Sequence, residues 1–157
     1  MKKRICVDMS ATLLHHGHIR LLKKASDLGS VVVALTTDDE VQNKKGYKPE
    51  LSFDERKEIL ESIRYVDEVI PCNWLIDDSF LERHNIDLLV HGDDNSNLVP
   101  KEKLVIYPRT EGISSSEMRS RVLDSLISIN ISKDQTRGTD RMARALFSVI
   151  KDEFRLD

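Results

Sequence analysis

Ile19-Arg-Leu-Leu-Lys-Lys-Ala25-Ser-Asp-Leu28-Gly29-Ser30-Val31-Val-Val-Ala-Leu-Thr36 carries two hydrophobic periods in succession. Up to Leu28 the apolar residues recur three and four apart, which gathers them on one stripe of a helix, and Gly29 stands where such a helix ends. From Val31 to Thr36 the run is unbroken and rich in β-branched residues, as in a strand covered on both faces. A short apolar run, Arg4 to Val7, precedes the helix, so the chain opens as strand, loop, helix, strand.

The same alternation continues outward. A charged loop is expected from Asp38 to Pro49. Ser52-Phe-Asp-Glu55 has the spacing of a capping box ahead of a helix over Arg56 to Ile63. Val66 to Ile70 reads as a third strand, Phe80 to Asn85 as a short helix, Leu88 to Val90 as a fourth strand and Leu104 to Ile106 as a fifth. Strands alternating with helices predict an α/β fold: a Rossmann-like, doubly wound parallel sheet of about five strands with flanking helices. Ligands of such sheets sit at the carboxyl ends of the strands where the strand order reverses, so the loops after Val7, Thr36, Val90 and Ile106 are the informative ones. Residues 1–127 read as the nucleotide-binding domain. Residues 128–157 read as a polar linker and a C-terminal helical extension, in which Met142, Leu146, Val149 and Ile150 share one face of an amphipathic helix from Asp140 to Phe154. That helix either packs on the domain or a partner subunit, or leads into a further segment.

At 157 residues one domain suffices, and a net charge of -3 from 24 basic and 27 acidic residues offers no basic face for nucleic acid. Two cysteines, Cys6 and Cys72, are too few for a disulfide framework and read as reduced cytoplasmic thiols. The apolar stretch behind the basic start stops at Asp8, which is too short for a signal-peptide core or a membrane span.

Two segments carry chemistry. Met9-Ser-Ala-Thr-Leu-Leu-His15-His16-Gly17-His18 lies between the first strand and the first helix. A loop feeding a helix N-terminus offers free N–H groups and the positive end of the helix dipole to a phosphate. His15 and His18 can add hydrogen bonds to oxygens whose charge grows in a phosphoryl-type transition state, and Gly17 leaves the backbone open to a nucleotide. Surface histidines or a zinc pair are the plainer readings, although no third ligand sits nearby in the sequence. Tyr107-Pro-Arg109-Thr110-Glu-Gly-Ile-Ser114-Ser115-Ser116-Glu-Met-Arg119 follows the fifth strand and opens another helix. Arg109 supplies a planar fork for phosphate oxygens, and the serines supply hydroxyls at a helix start. An ordinary N-cap cluster is the alternative.

Together these segments resemble the paired signatures of the cytidylyltransferase family: a His15-x-Gly17-His18 turn and an Arg109-Thr-Glu-Gly-Ile-Ser114 stretch. The similarity runs from about Lys3 to Leu126 and takes in Arg64-Tyr-Val-Asp67-Glu-Val-Ile-Pro71, Asn73-Trp74, His84-Asn-Ile-Asp87 and Gly92-Asp93-Asp94. The resemblance implies an enzyme that moves CMP from CTP to a small phosphate or phosphonate acceptor; the reduced thiols lead us to expect it in the cytoplasm, and Mg²⁺ is expected on the triphosphate because hard divalent ions favour phosphate oxygens. It puts His15 and His18 on the α-phosphate and the backbone at Met9 and Ser10 beside the nucleotide. Arg109, Thr110 and Ser114 to Ser116 then follow the triphosphate and ribose. Lys45 matches the family's phosphate lysine, with Lys44 as the other candidate, and Asp93 or Asp94 would orient a lysine or a water. Trp74 would lie near the cytosine or serve as a packing aromatic. Arg64 to Ile70 would form a homodimer contact.

The chain also departs from that pattern. Family members usually carry Thr-Phe-Asp where this chain has Ser10-Ala11-Thr12, which alters the acceptor side of the pocket. Members acting on glycerol phosphate carry a lysine near position 77, where Asp77 and Asp78 stand here, a change that suits an acceptor with its own positive charge, such as an aminoalkyl phosphonate or phosphoethanolamine. Adenylyl transfer is the competing enzyme reading because the histidine turn does not choose the base, and a catalytically silent nucleotide-binding module is the competing non-enzyme reading.

Overall fold

The computed structural model describes residues 2–133, 144–146 and 148–150, without the side chains of 127–133. The chain forms two compact units, 1–111 and 112–157. The first is a five-stranded sheet with strand order β3-β2-β1-β4-β5, every pairing parallel. Its strands are β1 (Arg4–Met9), β2 (Ser30–Thr36), β3 (Glu68–Cys72), β4 (Leu88–Gly92) and β5 (Leu104–Tyr107).

Four α-helices accompany them: α1 (His16–Ser26), α2 (Asp38–Lys45), α3 (Phe53–Glu61) and α4 (Asp78–Arg83). Alternation along β1 divides the core. Ile5, Val7 and Met9 point to one face, with Leu22 and Ala25 of α1 and Leu60 of α3. Cys6 points to the other, with Leu81 of α4, Ile76 and Ile86. Helices on both faces explain why β2 shows no alternation: Val31 to Leu35 are all fully buried. The chain winds from β1 through β2 to β3, then returns to the opposite side of β1 for β4. The reversal falls between β1 and β4, and the loops that follow those two strands frame the expected ligand crevice.

Three local findings refine the sequence reading. Residues 38–45 form a helix where a loop was expected. Only Val41 of α2 is buried, so there was no apolar stripe to read. Charge and capping hold it instead: Asp38, Asp39 and Glu40 in the first turn, Lys44 and Lys45 in the last, and Gly46 closing it at φ 77°. Ser52 and Glu55 do form the reciprocal capping box, and α3 starts there. Gly29 has another role than a left-handed cap: a Cβ there would run into the Lys3 carbonyl and the Ile5 side chain, so glycine lets α1 return tightly onto the start of β1.

The second unit opens with Gly112 at φ 71° and the helix α5 (Ser115–Lys133). Ser114 caps it, its hydroxyl accepting from the Glu117 N–H at 3.0 Å, and Arg121 pairs with Glu117. α5 runs past residue 127 through 133, where a linker was expected, because no glycine or proline stops it. Of the segment Asp140 to Phe154, residues 144–146 and 148–150 are helical and the rest lies outside the described residues. Among the described residues no helix is long and apolar enough to cross a membrane.

Candidate active site

The histidine turn is itself a helix cap. His15 sits in extended conformation ahead of α1, its Nδ1 accepting from the Gly17 N–H at 3.2 Å, while Nδ1 of His18 accepts from the His15 N–H at 3.2 Å. This is a capping box built from imidazoles in place of serine and glutamate. Two consequences follow. The rings lie against each other, tilted by 36°, with centroids 3.9 Å apart. Each Nδ1 is occupied as an acceptor, so in the neutral ring the proton is on Nε2 and that N–H is left to donate elsewhere. Burial first, then the neighbouring His15, Arg109 and Lys45, lowers the pKa of His18 to about 3. His18 is therefore a neutral donor at physiological pH, not an imidazolium.

The cations that depress His18 arrive from opposite sides. Lys45, at the end of α2, donates to the Ser10 hydroxyl at 3.2 Å and lies 5.7 Å from the centroid of the Trp74 ring. These contacts put Lys45, rather than Lys44, beside the loop after β1. Trp74 is half-buried, and Glu40 accepts its backbone N–H at 2.8 Å. Arg109, beyond β5, pairs with Asp94 at 2.7 Å, and with Thr110 it lines an open groove along α1 beside Arg20, Lys23 and Lys24. Asp93 is exposed just past β4. Ser114, Ser115 and Ser116 belong to the second unit, at the start of α5.

Other expected positions serve the scaffold. The Met9 side chain is in the core, which leaves its backbone for a ligand. Ala11 takes the left-handed φ of 43°, uncommon for alanine, and Thr12 beside it is fully buried. Asp77 caps α4, its Oδ1 accepting from the Phe80 N–H at 2.9 Å and the Ser79 hydroxyl at 2.8 Å; these bonds hold its carboxyl below the usual range. Asp78 pairs with Lys103. Both acids expected to meet a cationic acceptor thus have local partners already. In the stretch 64–70, Arg64 is exposed, Asp67 accepts the Val31 N–H, Glu68 pairs with Arg4, and Val69 and Ile70 enter the core.

Three residues of the crevice went unread in the sequence. Arg56, 1% exposed, extends its guanidinium from α3 to the carbonyls of Leu51, Ser10 and Thr36 and to Asp38, tying the loop after β1, the end of β2 and the start of α2 together. Asp8, at the end of β1 on the side of the strand reversal, is the second. Its Oδ2 accepts from Asn97 Nδ2 at 2.8 Å, whereas its Oδ1 is buried with no hydrogen-bond partner among the described residues. Burial raises its pKa, with Asp94 adding to the rise against the pull of His91 and Asn97. His91, at the end of β4, is the third, with Nε2 3.5 Å from Asp8 Oδ2. A carboxylate directly after an apolar strand was the signal available for Asp8. Arg56 and His91 gave none, since their roles exist only once the loops meet.

A family described as cytidylyltransferase-like matches residues 12–121. Glycerol-3-phosphate cytidylyltransferase of Bacillus subtilis is 41% identical over 125 residues, spanning 76% of this chain and 97% of that protein. Its Staphylococcus aureus counterpart is 37% identical over 128 residues, spanning 76% and 95%. Ethanolamine-phosphate cytidylyltransferase of Dictyostelium discoideum is 32% identical over 132 residues, which cover 76% of this chain and 36% of that protein. A lipopolysaccharide core biosynthesis protein from Thermoplasma volcanium superposes with a TM-score of 0.60 at 21% identity, over 71% of this chain and all of that one, a likeness of fold.

Proposed function

The chain belongs to the cytidylyltransferase-like family, and from that membership and the site geometry we propose that it is a nucleotidyltransferase moving CMP from CTP to a small phosphate- or phosphonate-bearing acceptor. The observation that carries the reading is the pair of imidazoles capping the start of α1, each with Nδ1 occupied as an acceptor and His18 held neutral, with Lys45 and Arg109 to either side.

The protein has little covalent work to do. An acceptor oxygen, already anionic, attacks the α-phosphorus; a P–O bond forms to it, the bond from the α-phosphorus to the bridging oxygen breaks, and pyrophosphate leaves with that electron pair. No proton has to be removed. What limits the rate is alignment and the charge that accumulates on the phosphoryl oxygens. Nε2–H of His15 and of His18 can donate to those oxygens, His18 without carrying a charge that must be desolvated, and Lys45 and Arg109 supply the cations. Loss of one such donor typically costs about 10²–10³ in kcat. The positive end of the α1 dipole adds to these groups. Among the described residues no group of three or more His, Cys, Asp or Glu side chains is placed to hold a metal ion, and we assign Mg²⁺ to the triphosphate, where hard oxygen donors suit it.

The acceptor carries a positive charge in this reading. Asp77 and Asp78 are engaged elsewhere, but the unpartnered Oδ1 of Asp8 is a buried acceptor at the strand reversal that an ammonium group would satisfy. Phosphoethanolamine and 2-aminoethylphosphonate fit that requirement. Burial without a partner disfavours the carboxylate, and an ammonium beside it reverses the balance. Asp8→Asn is expected to raise KM for phosphoethanolamine at least tenfold while leaving KM for CTP within threefold; equal rises in both would refute the assignment.

A homodimer through the 64–70 region is part of the proposal: β3 is an edge strand of the sheet, and Arg64 is exposed where the chain enters it. The buried free thiols of Cys6 and Cys72 suit a cytoplasmic setting. Sedimentation should give twice the chain mass, reduced by Arg64→Glu.

A further inference from the structure

Packing alone does not fix the helix that carries Lys45. Only Val41 of α2 is buried, and Thr37 at its N-cap makes no side-chain capping bond. A helix that buries so little apolar surface takes its place from hydrogen bonds to its neighbours. At its start the Thr37 N–H donates to the Cys72 carbonyl at 3.2 Å, at the end of β3. Asp38 accepts from the Phe53 N–H at 3.0 Å and from Arg56, both on α3. Glu40 supplies a further bond, its Oε2 accepting the Trp74 N–H at 2.8 Å.

Trp74 is thereby held from both ends of α2. Its backbone is fixed by Glu40 near the start of the helix, and its ring centroid lies 5.7 Å from Nζ of Lys45, the last residue. Lys45 in turn donates to the Ser10 hydroxyl at 3.2 Å, in the loop after β1. Glu40 closes this circuit: the loop after β3 follows α2, and the helix brings ammonium, indole and the loop after β1 together. The plainer reading of Glu40 is helix electrostatics, an acid in the first turn of α2. Asp38 and Asp39 already supply two acids there, and a dipole contact needs no defined partner. Glu40 instead takes one particular amide, 34 positions away in the chain, in a charge-assisted bond.

We propose that Glu40 is a positioning residue for the nucleotide: it sets the Trp74 indole against the Lys45 ammonium before CTP arrives, so that CTP does not have to order them on binding. This rests on the reading of Lys45 as a phosphate cation and of Trp74 as the neighbour of the cytosine. In this role Glu40 acts only through those two side chains. Without it α2 is still attached at Thr37 and Asp38, so the helix stays while its backbone tie to Trp74 is lost. The cost then falls on CTP binding, because a fraction of the free molecules no longer presents the pair, and little of it falls on the step at the α-phosphorus once CTP is bound.

The test combines calorimetric CTP binding with steady-state rates in Glu40→Ala, Glu40→Gln, Lys45→Ala and the Glu40→Ala/Lys45→Ala double variant. In Glu40→Ala, Kd and KM for CTP should each rise about tenfold, the weight of one charge-assisted hydrogen bond, while kcat and the acceptor's KM stay within about threefold. Glu40→Gln keeps an oxygen for the Trp74 N–H but gives up the charge, so it should recover most of that loss; a dipole role would make it behave like the alanine variant. The double variant should bind CTP no more than about threefold worse than Lys45→Ala alone, because Glu40 acts through that lysine. Trp74 is the lone tryptophan of the chain, so its emission reports the same tie without any substrate: it should move to longer wavelength in Glu40→Ala and return in Glu40→Gln. Fully additive losses, an alanine-like Glu40→Gln or an unchanged emission in Glu40→Ala overturns the role of Glu40 and leaves Lys45 standing. Absence of CTP binding, or CTP binding that Lys45→Ala does not weaken, removes the nucleotide reading itself and with it that role.

Discussion

His18→Asn separates the two jobs of one imidazole. Asparagine can place Oδ1 near the position of Nδ1 and so still accept the His15 N–H, but it cannot reach outward with the Nε2–H that faces the reacting phosphate. With the cap retained, stability at pH 7 should change by less than about 1 kcal/mol. With the donor lost, kcat should fall by about 10²–10³, equivalent to roughly 2.7–4 kcal/mol of transition-state stabilisation. The pH dependence supplies an independent check. The folded pKa of His18, about 3, lies below its ordinary 6.5, so the unfolded chain takes up a proton that the folded chain refuses. Stability from this group is complete above pH 6.5 and declines as pH falls; between pH 7 and pH 5 the loss is about 2 kcal/mol. His18→Asn should lack that decline. The assay pairs urea denaturation at pH 5, 6 and 7 with steady-state pyrophosphate release over the same range. An acid limb in kcat near pH 6.5 that vanishes in His18→Asn would show a charged His18 and refute the neutral-donor reasoning.

Lys45→Ala should lower kcat/KM for CTP about a hundredfold, against less than threefold for Lys44→Ala, measured by initial rates, because only Lys45 reaches Ser10 and Trp74. Arg56→Met should cost about 3–5 kcal/mol in urea denaturation, since it strands three carbonyls and leaves Asp38 without its cation. Asp8→Asn should melt higher than the unmodified protein at pH 8, with the gap closing toward pH 4. The raised pKa of Asp8 means that protonation favours the folded state at low pH and that this contribution is lost as pH climbs through the folded value. Gly29→Ala should destabilise by about 1–3 kcal/mol in thermal melts, since a Cβ there meets the Lys3 backbone.

Where the sequence was legible, a local signal and a tertiary outcome coincided. The stripe over Ile19 to Leu28 and the unbroken run at Val31 to Thr36 are imprints of the two-faced core, and they fix a parallel sheet with helices on both sides. Ser52 and Glu55 announce α3 because capping needs only neighbours three residues apart. α2 escaped because a helix with one buried residue leaves no stripe. The histidines could be located and paired from their spacing, but not their tautomers, which follow from the φ and ψ of His15 as cap. On the acceptor side, Asp77 and Asp78 stood where a cation binder was expected, yet a carboxylate before a short helix finds the Phe80 N–H sooner than a substrate. Asp8 became visible only when β4 was laid beside β1, bringing Asn97 and His91 from more than eighty residues away.

The most direct test of the central claim is pyrophosphate release from CTP with Mg²⁺, with phosphoethanolamine, 2-aminoethylphosphonate, phosphocholine and glycerol 3-phosphate each offered as acceptor and ATP as the alternative donor. Acceptor-dependent release with CTP, abolished in His15→Ala and strongest with an ammonium-bearing acceptor, is the predicted result. Release with ATP alone, or none with any of the four acceptors while CTP still binds, would contradict it.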